Sequence, residues 1–458
     1  MKKTACSLII FLFAIYSHGQ APQPDKKYSP QQLKLDLSFL IQQLFDAHAN
    51  PYTELSKAQY EALFDSISSK ITDSADVCTF YKLIKPTFAY LSDEHSAISI
   101  DTPQFNSTYK NEPVFLPFTL IQLRGVYVVD KVLTANTGLN KGDVIMEVDH
   151  QPIATVVKKC ALYTTGFPGQ RVATALARFG YLYSWANAGT KHQFVIRTSK
   201  NNITVAGTDL KIWLSYLNPA TIIVPASAPM ISYTRFNNAG YINCSSFLTH
   251  NDKEFDSLQK RIDTIFRQVK ADGIKTLFID VSKNSGGNSS VGDVLINYIY
   301  AKPYLSYQCN WRRSDEYLKL IKSWGINNYA YIQQPVGSVL HYDAEQITPP
   351  ADNPDRFSGK VYVIIGDGTF SSAMMFATII KDDHIATLIG QTPQNGHPDH
   401  FGELYNAELP NTKLKFRFGV KEWIRPAGKL SDNYLRPDVV IEPGKYVGMG
   451  ELIEAVDK

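Results

Sequence analysis

Two stretches, IKTLFIDVS at 274–282 and KVYVIIGD at 360–367, constrain the fold most. Each is a nearly unbroken apolar run. That is the pattern of a strand covered on both faces, and such strands belong to parallel sheets flanked by helices. Before the first run stands NDKEFDSLQKRIDTIFRQVKADG, where Phe255, Leu258, Ile262, Ile265, Phe266 and Val269 share one helical face and Gly273 follows the end. Alternation of this kind from about Ile231 onward predicts an α/β layer structure over 231–458.

The rest of the 458 residues has a different texture. From Ser29 to about Tyr90 the spacing is helical, with Leu33, Leu37, Leu40, Ile41 and Leu44 at three- and four-residue steps. Residues 20–112 therefore read as an N-terminal helical domain. Residues 113–205 carry short β-rich runs, FTLIQL, GVYVVDKV, DVIMEVD and HQFVIRT. Within them TGLNKGDVIMEVDHQPI has the layout of a PDZ-like module, which takes up an extended peptide as an added strand. Residues 206–230 read as a linker.

The first twenty residues, MKKTACSLIIFLFAIYSHGQ, have a basic start, an apolar stretch and small residues at Ser17 and Gly19. This is a secretory signal peptide, residues 1–19, too short in its apolar part for a membrane anchor. The mature chain is expected to be exported, periplasmic or extracellular, with no transmembrane segment. A formal net charge of +3 without a basic run gives no reason to expect nucleic acid. Cys78, Cys160, Cys244 and Cys309 are widely scattered, which suits buried thiols, with room for one bonded pair, better than a disulfide framework or a zinc site.

Two strand-to-helix turns carry unusual chemistry. DVSKNSGGNSS places Gly286 and Gly287 after one apolar run, where paired glycines let backbone N–H groups approach a ligand closely. GDGTFSSAMM places Ser371 and Ser372 after the other. A serine there either caps the helix or attacks a carbonyl, and for attack it needs a base.

On these motifs the chain resembles the C-terminal processing (tail-specific) serine proteases. LFIDVSKNSGG is similar to that family's core strand and Gly-Gly turn, and TFSSAMMFA to its nucleophile turn. The resemblance implies a crotonase/Clp-protease-like α/β catalytic core with an N-terminal helical cap and a PDZ-like β-rich domain. It makes Ser371 the nucleophile and gives the oxyanion to N–H groups of Gly286, Gly287 and Ser372. Where one branch of the family carries a lysine, GQTPQNGHPDHFGE at 390–403 has none. LSDEHSAI matches instead the turn of the branch that includes the tricorn core and the interphotoreceptor retinoid-binding proteins, which implies His95 as base.

In that branch an acid before the terminal Pro-Asp strand orients the histidine. Asp432 in SDNYLRPD is the candidate here, with Glu403 and Glu94 as rivals. His397 and His400 line the cleft or face solvent in this reading, and His48 is structural at a helix end. The implied function is an exported serine endopeptidase acting on polypeptide through an acyl-enzyme, without cofactor or metal. A binding protein for peptides or apolar ligands on the same scaffold is the alternative. An ordinary imidazole base predicts loss of activity below about pH 6–7.

Overall fold

The two apolar runs lie side by side. Thr276–Asp280 and Lys360–Ile365 pair in parallel, with Thr276 opposite Lys360 and Asp280 opposite Ile364. They are the centre of a six-stranded sheet in the order Val439–Val440, Thr387–Gly390, Lys360–Ile365, Thr276–Asp280, Ala239–Cys244, Ile231–Phe236. All neighbours are parallel except the last pair. The structure is a computed structural model that describes residues 26–100, 109, 112–187, 191–217, 229–441 and 449–456. The expected signal peptide, residues 1–19, lies outside these residues, as does the 218–228 part of the expected linker.

Alternate residues of the central strands explain why both runs are apolar throughout. Leu277, Ile279, Val363 and Ile365 face one core, packed on Leu258, Ile262 and Phe266 of the helix Asp252–Asp272 and on Met374 and Phe376. Phe278, Tyr362 and Ile364 face the other side, against Leu452 of the helix Met449–Val456. Asn251 caps the long helix by accepting from Glu254 N–H at 3.0 Å, and Gly273 ends it with φ of +59°. The mixed α/β core matches the expectation.

A second, antiparallel sheet was not anticipated within 231–458. Its long strand Lys415–Ile424 pairs with His400–Glu408, with Gln308–Arg312 and with Ala97–Ser99, a strand of the N-terminal segment. The N-terminal helices Pro30–Ala47, Lys57–Ser69 and Val77–Ile84 rest on this sheet. Leu37, Leu40, Phe64 and Phe88 share one apolar cluster with Tyr317, Tyr405, Phe416 and Phe418. The helical cap and the sheet are therefore one packed unit.

The β-rich region holds a hairpin, Phe118–Leu123 with Val126–Val132, and a four-stranded antiparallel sheet between Ile145 and Ala206. It also contains three helices that reading the region as strands and turns passed over: Ile153–Ala161, Pro168–Ala177 and Phe179–Ala186. Their signal was legible, since Ile153, Val156, Val157 and Cys160 are buried at helical spacing. The start of the expected linker is packed, with Trp213 Nε1–H donating to Leu116 O at 3.0 Å. The four cysteines are buried and unbonded to one another.

Candidate active site

The Gly-Gly turn is built by side chains that bond the backbone two residues ahead. Asp280 accepts from Ser282 N–H at 2.7 Å, and Asn284 Oδ1 accepts from Gly286 N–H at 2.8 Å. Asn284 also donates to Cys244 O, and its own carbonyl accepts from Phe370 N–H at 3.0 Å. These bonds lay Gly286 directly over the serine turn. A Cβ on Gly286 would stand 2.8 Å from Ser371 Cβ, and one on Gly287 2.3 Å from the backbone of Phe247. Both glycines have positive φ, +99° and +140°. Only glycine fits here.

Beneath this turn the helix Ser372–Asp382 begins, and the two serines part company. Ser372 is buried and its Oγ–H donates to Gly287 O at 2.7 Å. Ser371 has φ of 50° and ψ of −126°, a region non-glycine residues rarely enter, and its side chain does not cap the helix. A serine held on a strained strand-to-helix elbow with an unengaged hydroxyl is the arrangement of a nucleophile. The N–H groups of Gly287 and Ser372 have no protein acceptor among the described residues, whereas Gly286 N–H is occupied by Asn284. Two of the three expected oxyanion donors are therefore free, and Gly286 supplies proximity.

His95 reaches this place from the cap. Asp93 is fully buried, and its Oδ1 accepts from His95 N–H at 2.7 Å while its Oδ2 accepts from Gly419 N–H at 2.8 Å. His48 Nδ1 accepts from Asn50 N–H, so its proton sits on Nε2, which faces Asp93 Oδ2 at 3.4 Å. Beyond the turn, Ala97 to Ser99 pair with Arg417 to Lys415. The His95 ring lies 4.6 Å from that of Phe370, the neighbour of Ser371, and 5.9 Å from that of His400. Burial holds its pKa down to about 4, so it is a neutral, proton-accepting imidazole at pH 7. Its Nδ1 is buried without a partner among the described residues.

The orienting carboxylate found here belongs to another histidine. Glu94 accepts from His397 Nδ1–H at 2.8 Å and from His397 N–H at 3.2 Å, and burial pushes its pKa up to about 6. Among the described residues His397 Nε2 is buried and unpartnered, with the ring between Phe167 at 4.3 Å and Tyr434 at 5.0 Å. Neither residue is solvated. Gly396, beside it, packs against Thr369 O and Phe370 Cα. His400 Nδ1–H donates to the carbonyls of His397 and Pro398.

The other acids lie elsewhere. Asp432 is exposed and paired with Arg436 at 2.7 Å, with no bond to a histidine. It is Asn433 that ties this segment to the site, exchanging two bonds of 2.8 Å with the backbone of Asp399. Glu403 is taken by Tyr317 and by Lys421 at 2.5 Å. Sequence reading missed Asp93, whose bond to the N–H two residues on was a findable signal, and the Glu94–His397 pair, which had none because 303 residues separate the partners.

Two neutral buried imidazoles make stability depend on pH. Burial draws His400 down to about 3, with His95 adding to it. The unfolded chain takes up these protons near pH 6.5 and the native chain only near 4 and 3. Stability from both is full above about pH 6.5 and falls as pH drops toward 4, by about 1.4 kcal/mol per histidine per unit. Urea unfolding at pH 7.5 and 5.5 measures it. A His400→Asn variant with an unchanged difference would remove that histidine from the account.

Residues 238–441 match the family described as peptidase family S41. No curated protein matches the chain. Among solved structures, mature CPAF is similar in fold, with 15% identity over 90% of this chain and 92% of that one and a TM-score of 0.55. CPAF complexed with lactacystin has 16% identity over 90% and 93%, with a TM-score of 0.54. The photosystem II D1 C-terminal processing protease has 13% identity over 91% and 94%, with a TM-score of 0.43.

Proposed function

We propose that this chain, whose residues 238–441 match peptidase family S41, is an exported serine endopeptidase working through an acyl-enzyme on Ser371. His95 takes the hydroxyl proton as Oγ attacks a peptide carbonyl. The N–H groups of Gly287 and Ser372 receive the oxyanion. The imidazolium then protonates the leaving amine, and water releases the acyl group by the same route in reverse. The observation that carries this reading is Ser371 itself, strained and uncapped beneath two glycines while Ser372 is spent on Gly287 O. A fluorophosphonate probe tests it: the label belongs on Ser371. No labelled serine would favour a binding protein on the same scaffold.

One observation favours a second arrangement of the base. A carboxylate-oriented imidazole with a free Nε2 is what a catalytic base needs, and His397 with Glu94 has it where His95 does not. Export rests on the residue 1–19 pattern. No helix among the described residues is long and apolar enough to cross a membrane.

The PDZ-like role of residues 113–205 is supported by the outer edge of the hairpin strand Phe118–Leu123, which pairs with no further strand among the described residues, whereas Val126–Val132 is bridged to Val144 on its other side. The same region touches the site, through Phe167 on His397 and Gln170 Nε2–H donating to Asn395 O at 3.0 Å. Phe167→Ala is therefore expected to slow a small activated ester as well as a polypeptide, roughly tenfold, because it loosens the His397 ring. Unchanged ester turnover would limit this region to substrate presentation.

A further inference from the structure

Between the cap, the β-rich region and the core lies a cavity of about 360 Å³ that meets the candidate active site at Glu94. The cap contributes Lys85 and Glu94, the β-rich region Thr174 and Arg178 among others, and the core Asn395. Lys85 is the anomaly. It opens the 3-10 helix Lys85–Leu91 that leads into the His95 turn, and it is 8% exposed. Its Nζ has one long bond, 3.4 Å to Ile98 O, and no carboxylate of the described residues within ion-pair distance.

An ammonium buried without a counter-charge is costly, and interiors pair such groups. Burial and the nearby Arg417 pull Lys85 down to about 8. Arg178, an exposed residue that also lines the cavity, has no ion-pair or hydrogen-bond partner for its guanidinium among the described residues. The one acid on the wall, Glu94, already has both oxygens on His397. Among the described residues, the cavity thus offers two cations without a counter-charge and no free carboxylate.

We propose that this cavity is an anion site that seats a carboxylate between Lys85 and Arg178. The carboxylate comes either from a small free anion or from a polypeptide, which rests on the peptidase reading. Its occupant touches the two turns that hold the histidines, since Glu94 precedes His95 and Asn395 lies two residues before His397. Charge-assisted bonds to Lys and a forked guanidinium are the chemistry that recognises such a group.

The test is thermal unfolding of the full mature chain carrying Ser371→Ala, which binds without turnover, at constant ionic strength and pH 7. The probes are sodium acetate, an N-acetyl tripeptide acid and the same tripeptide as its amide. The melting temperature is expected to rise with a carboxylate and not with the amide. A rise with acetate assigns a free anion, and a rise with the tripeptide acid alone assigns a polypeptide carboxylate.

Lys85→Met should melt higher than its parent without ligand and lose the carboxylate-dependent rise. Arg178→Gln, at an exposed position, should weaken the apparent affinity at least about tenfold. The proposal is overturned by three results: no carboxylate-dependent shift, a shift that survives Lys85→Met, or a Lys85→Met variant less stable than its parent. None of these touches fluorophosphonate labelling of Ser371, so failure here and failure of the peptidase reading stay separate.

Discussion

Ser371→Ala is expected to reduce hydrolysis of an unfolded protein and of an activated ester by on the order of 10⁴-fold or more, with the melting temperature nearly unchanged. The hydroxyl makes no hydrogen bond that the fold depends on, so its loss removes chemistry alone. Ser372→Ala is the control with the opposite signature. Its Oγ–H holds Gly287 O, so that variant should lose stability by about 1 kcal/mol. It should keep a measurable rate, because the Ser372 N–H remains. If Ser372→Ala abolishes turnover and Ser371→Ala does not, the nucleophile is the second serine.

The choice of base carries the second large effect, and pH separates the candidates. With His95 as base, His95→Ala should lose about 10³-fold or more in kcat/KM. The wild-type acid limb should then lie near pH 4, where the buried ring at last protonates. This replaces the ordinary limb at pH 6–7, because desolvation disfavours the imidazolium. If the His397–Glu94 pair supplies the base, protonation of Glu94 near pH 6 removes the carboxylate that orients the ring, and the limb appears there. Glu94→Gln would then cut turnover strongly, and His95→Ala would be mild. Full activity in His95→Ala sinks the first assignment outright.

The sequence showed well what depends on local pattern. The doubly covered strands, the helix Asp252–Asp272 with its Gly273 stop, and the two strand-to-helix turns were all legible, since each is a run of neighbours obeying one period. Ser371 and Ser372 could both be named, but their difference could not be seen. It lies in a bond between Ser372 and a carbonyl 85 residues away. Asp432 was misplaced for a related reason. Its segment does return to the site, but Asn433 and Tyr434 face inward while Asp432 pairs with Arg436 outside. The antiparallel sheet around Lys415–Ile424 escaped notice because it draws strands from both ends of the chain, so no stretch of sequence contains its pattern.

The pairing of Ala97–Ser99 with Lys415–Arg417 also bears on when this molecule becomes dangerous. A peptidase must not cut chains, its own copies included, while it is still being made. Here the histidine turn is locked by a strand more than 300 residues downstream. Contacts of such separation close late in folding. The folded α/β core can form its serine elbow earlier, yet His95 is not set in place until Ala97–Ser99 meets Lys415–Arg417. With His95 as the base, competence to cut is thereby deferred until this distant contact has closed.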